Sequence, residues 1–158
     1  MRHVLFLCPG NSGRSIMAEA ILQREGAGKF AAFSAGSHPT GRINPLSLEQ
    51  LASEGFSTAG LYSKSWRVFS GAQAPPMDFI IGVCDKVATQ EQPVWPGHPV
   101  HLWWHFPAPG AVQGSDAGVR AAFRAVSQQL QVMLRQFIAD PDDAAALARL
   151  NRAQNASR

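Results

Sequence analysis

The stretch His3-Val4-Leu5-Phe6-Leu7, then Cys8-Pro9-Gly10-Asn11-Ser12-Gly13-Arg14-Ser15, then Ile16-Met17-Ala18-Glu19-Ala20-Ile21 decides the fold. The first five residues are a short apolar run closed at once by a Pro-Gly pair, the pattern of a buried strand. Ile16, Met17, Ala20 and Ile21 recur at helical spacing, with Glu19 and Gln23 left for another face. A strand that ends in a cysteine and feeds a short loop opening a helix is built to hold an oxyanion. The loop amides can curl into a nest, and the helix N-terminus adds free donors and a partial positive charge. The same field lowers the pKa of a neighbouring thiol, so Cys8 is expected to be largely thiolate near neutrality. Arg14 offers a planar fork of donors for two oxygens of a tetrahedral anion. A free cysteine is commonly just a small buried apolar group. Here Pro9, Gly10, Asn11, Ser12 and Gly13 tolerate the unusual backbone angles a nest requires, which turns the reading toward oxyanion binding.

Outward from that stretch the chain alternates. Lys29 to Ser34 reads as a second strand, closed by Ala35-Gly36-Ser37-His38-Pro39. Pro45 to Glu54 reads as a helix, with Asn44 as its cap and Pro45 in its first turn. Ser63-Lys64-Ser65 precedes a helical turn through Trp66 and Phe69. Asp78 to Cys84 is the clearest interior strand after the first, and Pro99 to Trp104 a fourth. Phe106 to Gly114 is a Pro/Gly-rich loop. A long helix follows with Ser115 as N-cap and Val119, Phe123, Val126, Leu130, Leu134 and Phe137 as its apolar stripe, ended by Asp140-Pro141. Strands alternating with helices imply a single doubly wound α/β domain, a four-stranded parallel sheet flanked by helices. Ligands bind such sheets beyond the carboxyl ends of the strands. As read here, Cys8 and Cys84 end the first and third strands, on one edge. The domain is expected over residues 1–140, with 141–158 as a C-terminal tail holding a short helix at 142–150 that frays afterwards.

The 158 residues suit one domain with a real core, and 46% hydrophobic with 16% charged residues is an ordinary globular composition. A net charge of +3 helps attract a small anion but argues for no nucleic-acid partner. No segment reaches the ~20 apolar residues of a membrane span, and nothing resembles a secretory signal. Two cysteines in this setting suggest cytoplasmic thiols with a redox role rather than a disulfide framework. Trp95, Trp103 and Trp104 read as core or pocket wall. His38 and His101 read as structural or surface, and no ligand spacing points to a metal. Asp85 is expected as a capping residue.

Residues 4–20 resemble the signature of the low-molecular-weight protein tyrosine phosphatase superfamily, and most closely its arsenate reductase branch. Phe33-Ser34-Ala35-Gly36-Ser37-His38-Pro39, Ser63-Lys64-Ser65-Trp66, Pro76-Met77-Asp78-Phe79 leading to Val83-Cys84-Asp85, Pro93-Val94-Trp95-Pro96-Gly97 and Gly114-Ser115-Asp116 extend the likeness over roughly residues 2–140. The resemblance implies Cys8 as nucleophile. It gives oxyanion binding to Arg14 and the amides of the Pro9, Gly10, Asn11, Ser12 and Gly13 loop. Ser15 would hydrogen-bond the thiolate, and Asn11 would stabilise the loop backbone.

Two departures from the family pattern matter. Its mobile loop carries an aspartate before proline, and here Phe106-Pro107-Ala108-Pro109-Gly110 puts Ala108 in that place. General acid catalysis is worth about 10²–10⁴-fold, so phosphate ester cleavage should be badly impaired unless His105, Asp116 or Asp85 substitutes. The thioredoxin-coupled reductases also carry a further cysteine where this chain has Gln92. Cys84 can still attack an adduct on Cys8, giving a Cys8–Cys84 disulfide, but an external thiol must then finish the cycle. Glutathione with glutaredoxin, or thioredoxin acting directly, fits that role. The expected activity is thiol-dependent arsenate reduction with no bound cofactor. A weak tyrosine phosphatase and an inactive oxyanion-binding relative stay open as alternatives.

Overall fold

A computed structural model describes residues 1–143. Of the helix expected at 142–150, Asp142 and Asp143 are described and are not helical; its remainder and the fraying tail lie outside the described residues. Four strands, β1 (Arg2–Leu7), β2 (Phe30–Ala35), β3 (Phe79–Gly82) and β4 (Val100–Trp103), form one parallel sheet in the order β2-β1-β3-β4. The helices are α1 (Arg14–Glu25), α2 (Pro45–Ser53), α3 (Asp85–Ala88) and α4 (Asp116–Ala139), with 3-10 turns at Trp66–Phe69 and Pro109–Ala111.

β1 is central because Val4 to Leu7 are apolar on both sides and wholly buried, as a strand covered by helices on both faces must be. Alternation sends Val4 and Phe6 into one cluster with Ile16, Ile21, Phe79, Ile81, Phe123 and Phe137. Leu5 and Leu7 enter the other, with Ile80, Val87, Trp66 and Trp95. The first cluster holds the apolar faces of α1 and α4, and Phe137 anchors it, its ring 4.9 Å from Phe79 and 5.3 Å from Phe30. Two expected caps are in place: Asn44 accepts the amide of Leu46, and Ser115 that of Gly118. Trp95 and Trp104 are buried, while Trp103 is half-buried against the bare face of Gly82. His38 and His101 lie at the surface.

Strand and helix boundaries shift by a residue or two from the sequence reading, and one shift matters. β3 stops at Gly82, and Cys84 is the N-cap residue of α3, a four-residue helix too short to show a period. Asp85 is that helix's first residue rather than its cap.

At the β2 exit, the Gly36 amide donates to Lys64 O and its carbonyl accepts from the Trp66 amide, both at 2.9 Å. A Cβ there would lie 2.4 Å from Pro9 O and 2.8 Å from Cys8 O. Those neighbours are backbone and cannot swing aside. Gly36→Ala should therefore cost about 3 kcal/mol and weaken phosphate binding. Gly71→Ala, with nothing within 4 Å of its Cβ position, should leave the urea midpoint unchanged. Equal midpoints for the two variants would contradict the tight seat of the loop on Gly36.

Candidate functional site

The loop after β1 is held from outside by its carbonyls. Pro9 O accepts the His38 amide at 2.9 Å; Gly10 O accepts the Thr40 amide at 3.0 Å and the Ser63 hydroxyl at 3.2 Å. Ser12 O takes the Asn44 amide at 2.9 Å and the Ser47 hydroxyl at 3.3 Å. In a trans peptide the next N–H points opposite to the carbonyl. The amides of Gly10, Asn11 and Gly13 are thereby turned inward. Among the described residues no protein acceptor takes the amides of residues 10–15. Gly13 is the N-cap of α1 and gives no side-chain cap, so the helix's own first donors add to the same concavity.

Asn11 sets the loop's interior. It is wholly buried with φ +46°, the left-handed region that asparagine tolerates better than most residues. Its Oδ1 accepts the Lys64 amide at 2.9 Å, which fixes the carboxamide's orientation. Its Nδ2 then donates to Ser15 Oγ at 2.8 Å and to Ser34 Oγ at 3.0 Å. Each serine, having accepted, has its own proton to give. Ser15 lies 2.8 Å from Cys8 Sγ and Ser34 donates to Glu19 Oε1 at 2.5 Å. The Ser15 proton is thereby free to go to Cys8 whenever Cys8 is a thiolate.

Glu19, off the apolar face of α1, turns under β2 to meet Ser34. Lys64 Nζ stands 3.8 Å from Glu19 Oε1 and donates to Tyr62 O at 2.8 Å. Burial raises the Glu19 carboxyl pKa, against the opposing pull of Ser34 and Lys64. Burial likewise lowers the Lys64 ammonium pKa, against Glu19. Neither residue was singled out from the sequence, because each acquires its partner from a segment distant along the chain.

A cavity of about 160 Å³ opens over the loop, lined among others by Cys8, Gly13, Arg14, Asn44, Ala108 and Phe123. Arg14 reaches across it, its Nη1 donating to Phe106 O at 2.8 Å. Ala108 sits at the rim, so the position matched to the family aspartate does face the cradle. Among the described residues no carboxylate and no histidine lines the cavity. Asp116 stays exposed on the first turn of α4. His105 and Asp85 pair with each other, Nδ1 to Oδ2 at 3.0 Å.

Cys84 is not part of the cavity lining but is buried in the same apolar cluster as Cys8. The register Leu7↔Gly82 and the Val83 N to Leu7 O bond of 2.9 Å align Cys8 with Val83. Cys84 follows Val83 at the start of α3, so the two thiols belong to neighbouring segments of one buried cluster. Among the described residues no group of three or more His, Cys, Asp or Glu is arranged to hold a metal, and no helix is long and apolar enough to cross a membrane.

The sequence profile of the Low molecular weight phosphotyrosine protein phosphatase family matches residues 3–153. Over 139 residues the chain is 28% identical to a glutaredoxin arsenate reductase of Synechocystis sp., covering 88% of this chain and 98% of that one. It is 26% identical over 134 residues to an arsenate reductase of Bacillus subtilis, covering 85% and 93%. A solved arsenate reductase in a phosphate-binding state superposes with a TM-score of 0.68 at 27% identity, over 88% of this chain and 98% of that one.

Asn11→Ala should lose all three side-chain bonds and leave a left-handed alanine, costing about 3 kcal/mol in total and weakening phosphate binding in calorimetry. Asn11→Gly should recover only the backbone part, about 1 kcal/mol. Full recovery by glycine would mean that the bonds contribute nothing.

The Glu19–Lys64 pair makes a separate demand. A raised carboxyl pKa means that the folded state holds this proton where the unfolded chain has lost it. Glu19 then favours folding most below the ordinary carboxylate pKa, and that contribution is lost as pH rises through the raised value. Urea midpoints of the wild type against Glu19→Gln, followed from about pH 4 to 7, should show this loss in the wild type alone. At neutral pH Lys64→Met should cost about 3 kcal/mol, since it strands the buried Glu19 carboxylate, and Glu19→Gln should cost less, since Lys64 keeps its bond to Tyr62 O. The double variant should fall short of their sum by at least about 1 kcal/mol.

Proposed function

The chain belongs to the low molecular weight phosphotyrosine protein phosphatase family, and we propose that within it this protein reduces arsenate, using Cys8 as nucleophile. The observation that carries the reading is the cavity over Cys8 and Arg14: an oxyanion cradle that no carboxylate lines, with Ala108 at its rim.

Arsenate is held by the inward amides of residues 10–15 and by Arg14, which must share or give up its bond to Phe106 O. The Ser15 hydroxyl steadies the Cys8 thiolate. Cys8 Sγ attacks arsenic, an arsenate oxygen leaves as water, and a Cys8–S–As(V) adduct forms. Cys84 Sγ then attacks Cys8 Sγ. The S–S bond forms, the S–As bond breaks with its electron pair moving to arsenic, and As(V) leaves as As(III) arsenite. Arsenic gains two electrons and two thiols become one disulfide. The chain has two cysteines, so nothing within it can take the disulfide over from Cys84. An external thiol has to reduce it, and the likeness to a glutaredoxin arsenate reductase supports glutathione with glutaredoxin before thioredoxin.

The absent acid discriminates between substrates. A phosphate monoester needs its departing alkoxide or phenoxide protonated, help worth about 10²–10⁴-fold. Arsenate exchanges its oxygens readily and expels no such group. The amides and Arg14 stabilise the oxyanion alike in both reactions, so the same cradle keeps one chemistry and loses the other.

Purified protein with arsenate, glutathione and glutaredoxin should release arsenite, and Cys8→Ser should release none. Absence of arsenite with every thiol reductant would reject the assignment. Aryl phosphate hydrolysis should be feeble in the wild type and should rise about 10²-fold or more in Ala108→Asp, where a carboxyl returns to the rim.

A further inference from the structure

An anion seated on the loop amides and Arg14 turns its remaining oxygen outward. The wall it meets is Ala108, Pro109, Gly110, Ala111 and Phe123, none of which has a polar side-chain atom. Among the described lining residues, one side chain outside the loop and α1 carries a hydrogen-bond donor, and that is Asn44.

Asn44 is firmly held. Its amide donates to Ser12 O at 2.9 Å, which ties it to the loop. Pro45 follows it and keeps its backbone extended, at φ −61° and ψ 124°. Its Oδ1 accepts the Leu46 amide at 2.9 Å and caps α2. With Oδ1 engaged there, Nδ2 is the other arm of the carboxamide, and among the described residues nothing accepts from it. Nδ2 stands beside Gly110, where a Cβ would come within 3.5 Å of it. The missing side chain leaves the donor open to the cavity. Capping alone does not ask for asparagine. Serine, threonine or aspartate accepts the same amide, but of these caps asparagine alone accepts with one arm and keeps N–H donors on the other.

We infer that Asn44 Nδ2 is the donor for the outward oxygen of the bound anion, and so selects tetrahedral anions that carry an oxygen there. The inference deepens the arsenate reductase reading and rests on it. Arsenate and phosphate present that oxygen; a phosphonate or arsonate that turns a methyl group outward does not, and leaves Nδ2 without its acceptor. A carboxamide gives a hydrogen bond but no proton. Asn44 therefore holds this oxygen without restoring the acid that Ala108 lacks.

The test sets two ligands against two side chains. Phosphate and methylphosphonate differ by a methyl group in place of one oxygen, and each is titrated by calorimetry at a mildly acidic pH where both are monoanions. The wild type should bind phosphate about 10-fold more tightly, the factor of one hydrogen bond to a charged group. Asn44→Ser keeps a cap on α2 and removes the donor. It should bind methylphosphonate as the wild type does and phosphate about 10-fold more weakly, so that the preference disappears, with its urea midpoint unchanged. Asn44→Ala, which loses the cap as well, should unfold earlier and show the same loss of preference. A merely structural Asn44 would weaken both ligands alike in Asn44→Ser. That pattern, a wild type without preference, or a preference that survives in Asn44→Ser overturns the inference. Arsenite release separates it from the reading beneath it. Should arsenate yield no arsenite with any thiol reductant while the phosphate preference depends on Asn44, arsenate reduction fails and the role of Asn44 stands. Should arsenite form while the preference is the same in both proteins, the role of Asn44 fails alone.

Discussion

Asn11 is the constraint on which the site depends. Its carboxamide can face only one way, because Oδ1 receives the Lys64 amide and Nδ2 has two serines to supply. That one orientation makes both serines acceptors of Asn11 and leaves the Ser15 proton available to a thiolate at Cys8. The left-handed backbone at the same residue makes the loop curl. Curl and proton direction are therefore two consequences of a single side chain. A loop built of glycines would reach the same φ more cheaply but would leave Ser15 free to turn its proton elsewhere.

The second half of the cradle is supplied by segments that hold the loop by its carbonyls. His38, Thr40, Asn44, Ser47 and Ser63 each bond a carbonyl of the loop. In doing so they prevent the peptide planes from flipping and withdrawing their amides. This is preorganisation in a literal sense: donors are fixed before the anion arrives, so little reorganisation is needed on binding. Gly36 has the same purpose from below, since only a residue without Cβ lets β2 pass so close to Pro9 and Cys8.

What could be read from the sequence divides along the range of the interaction that sets it. β1, the loop and α1 were legible because their signals are local: an apolar run, five turn-tolerant residues, and a helical period. The caps Asn44 and Ser115 were legible for the same reason. α3 was not, since four residues carry no period, and so Cys84 was read as a strand end rather than a helix cap. The buried partners of Glu19 were not legible, because Ser34 and Lys64 come from 15 and 45 positions away. The pairing of His105 with Asp85 was equally hidden, because it exists only once β3 and β4 lie side by side.

The departures at Ala108 and Gln92 gain a common meaning from the sheet edge. An acid at the rim helps a leaving group depart, and a third thiol carries a finished disulfide outward. Neither is needed to bind an oxyanion or to join the thiol of the loop to the thiol that caps α3. What those two steps do need is a fixed cradle, a nucleophile with a donor beside it, and a second thiol in the same buried cluster. All three follow from one parallel β1–β3 pairing and one buried asparagine. A chain that keeps those two features keeps the redox half of the chemistry, even after the ester-cleaving half has lost its proton donor.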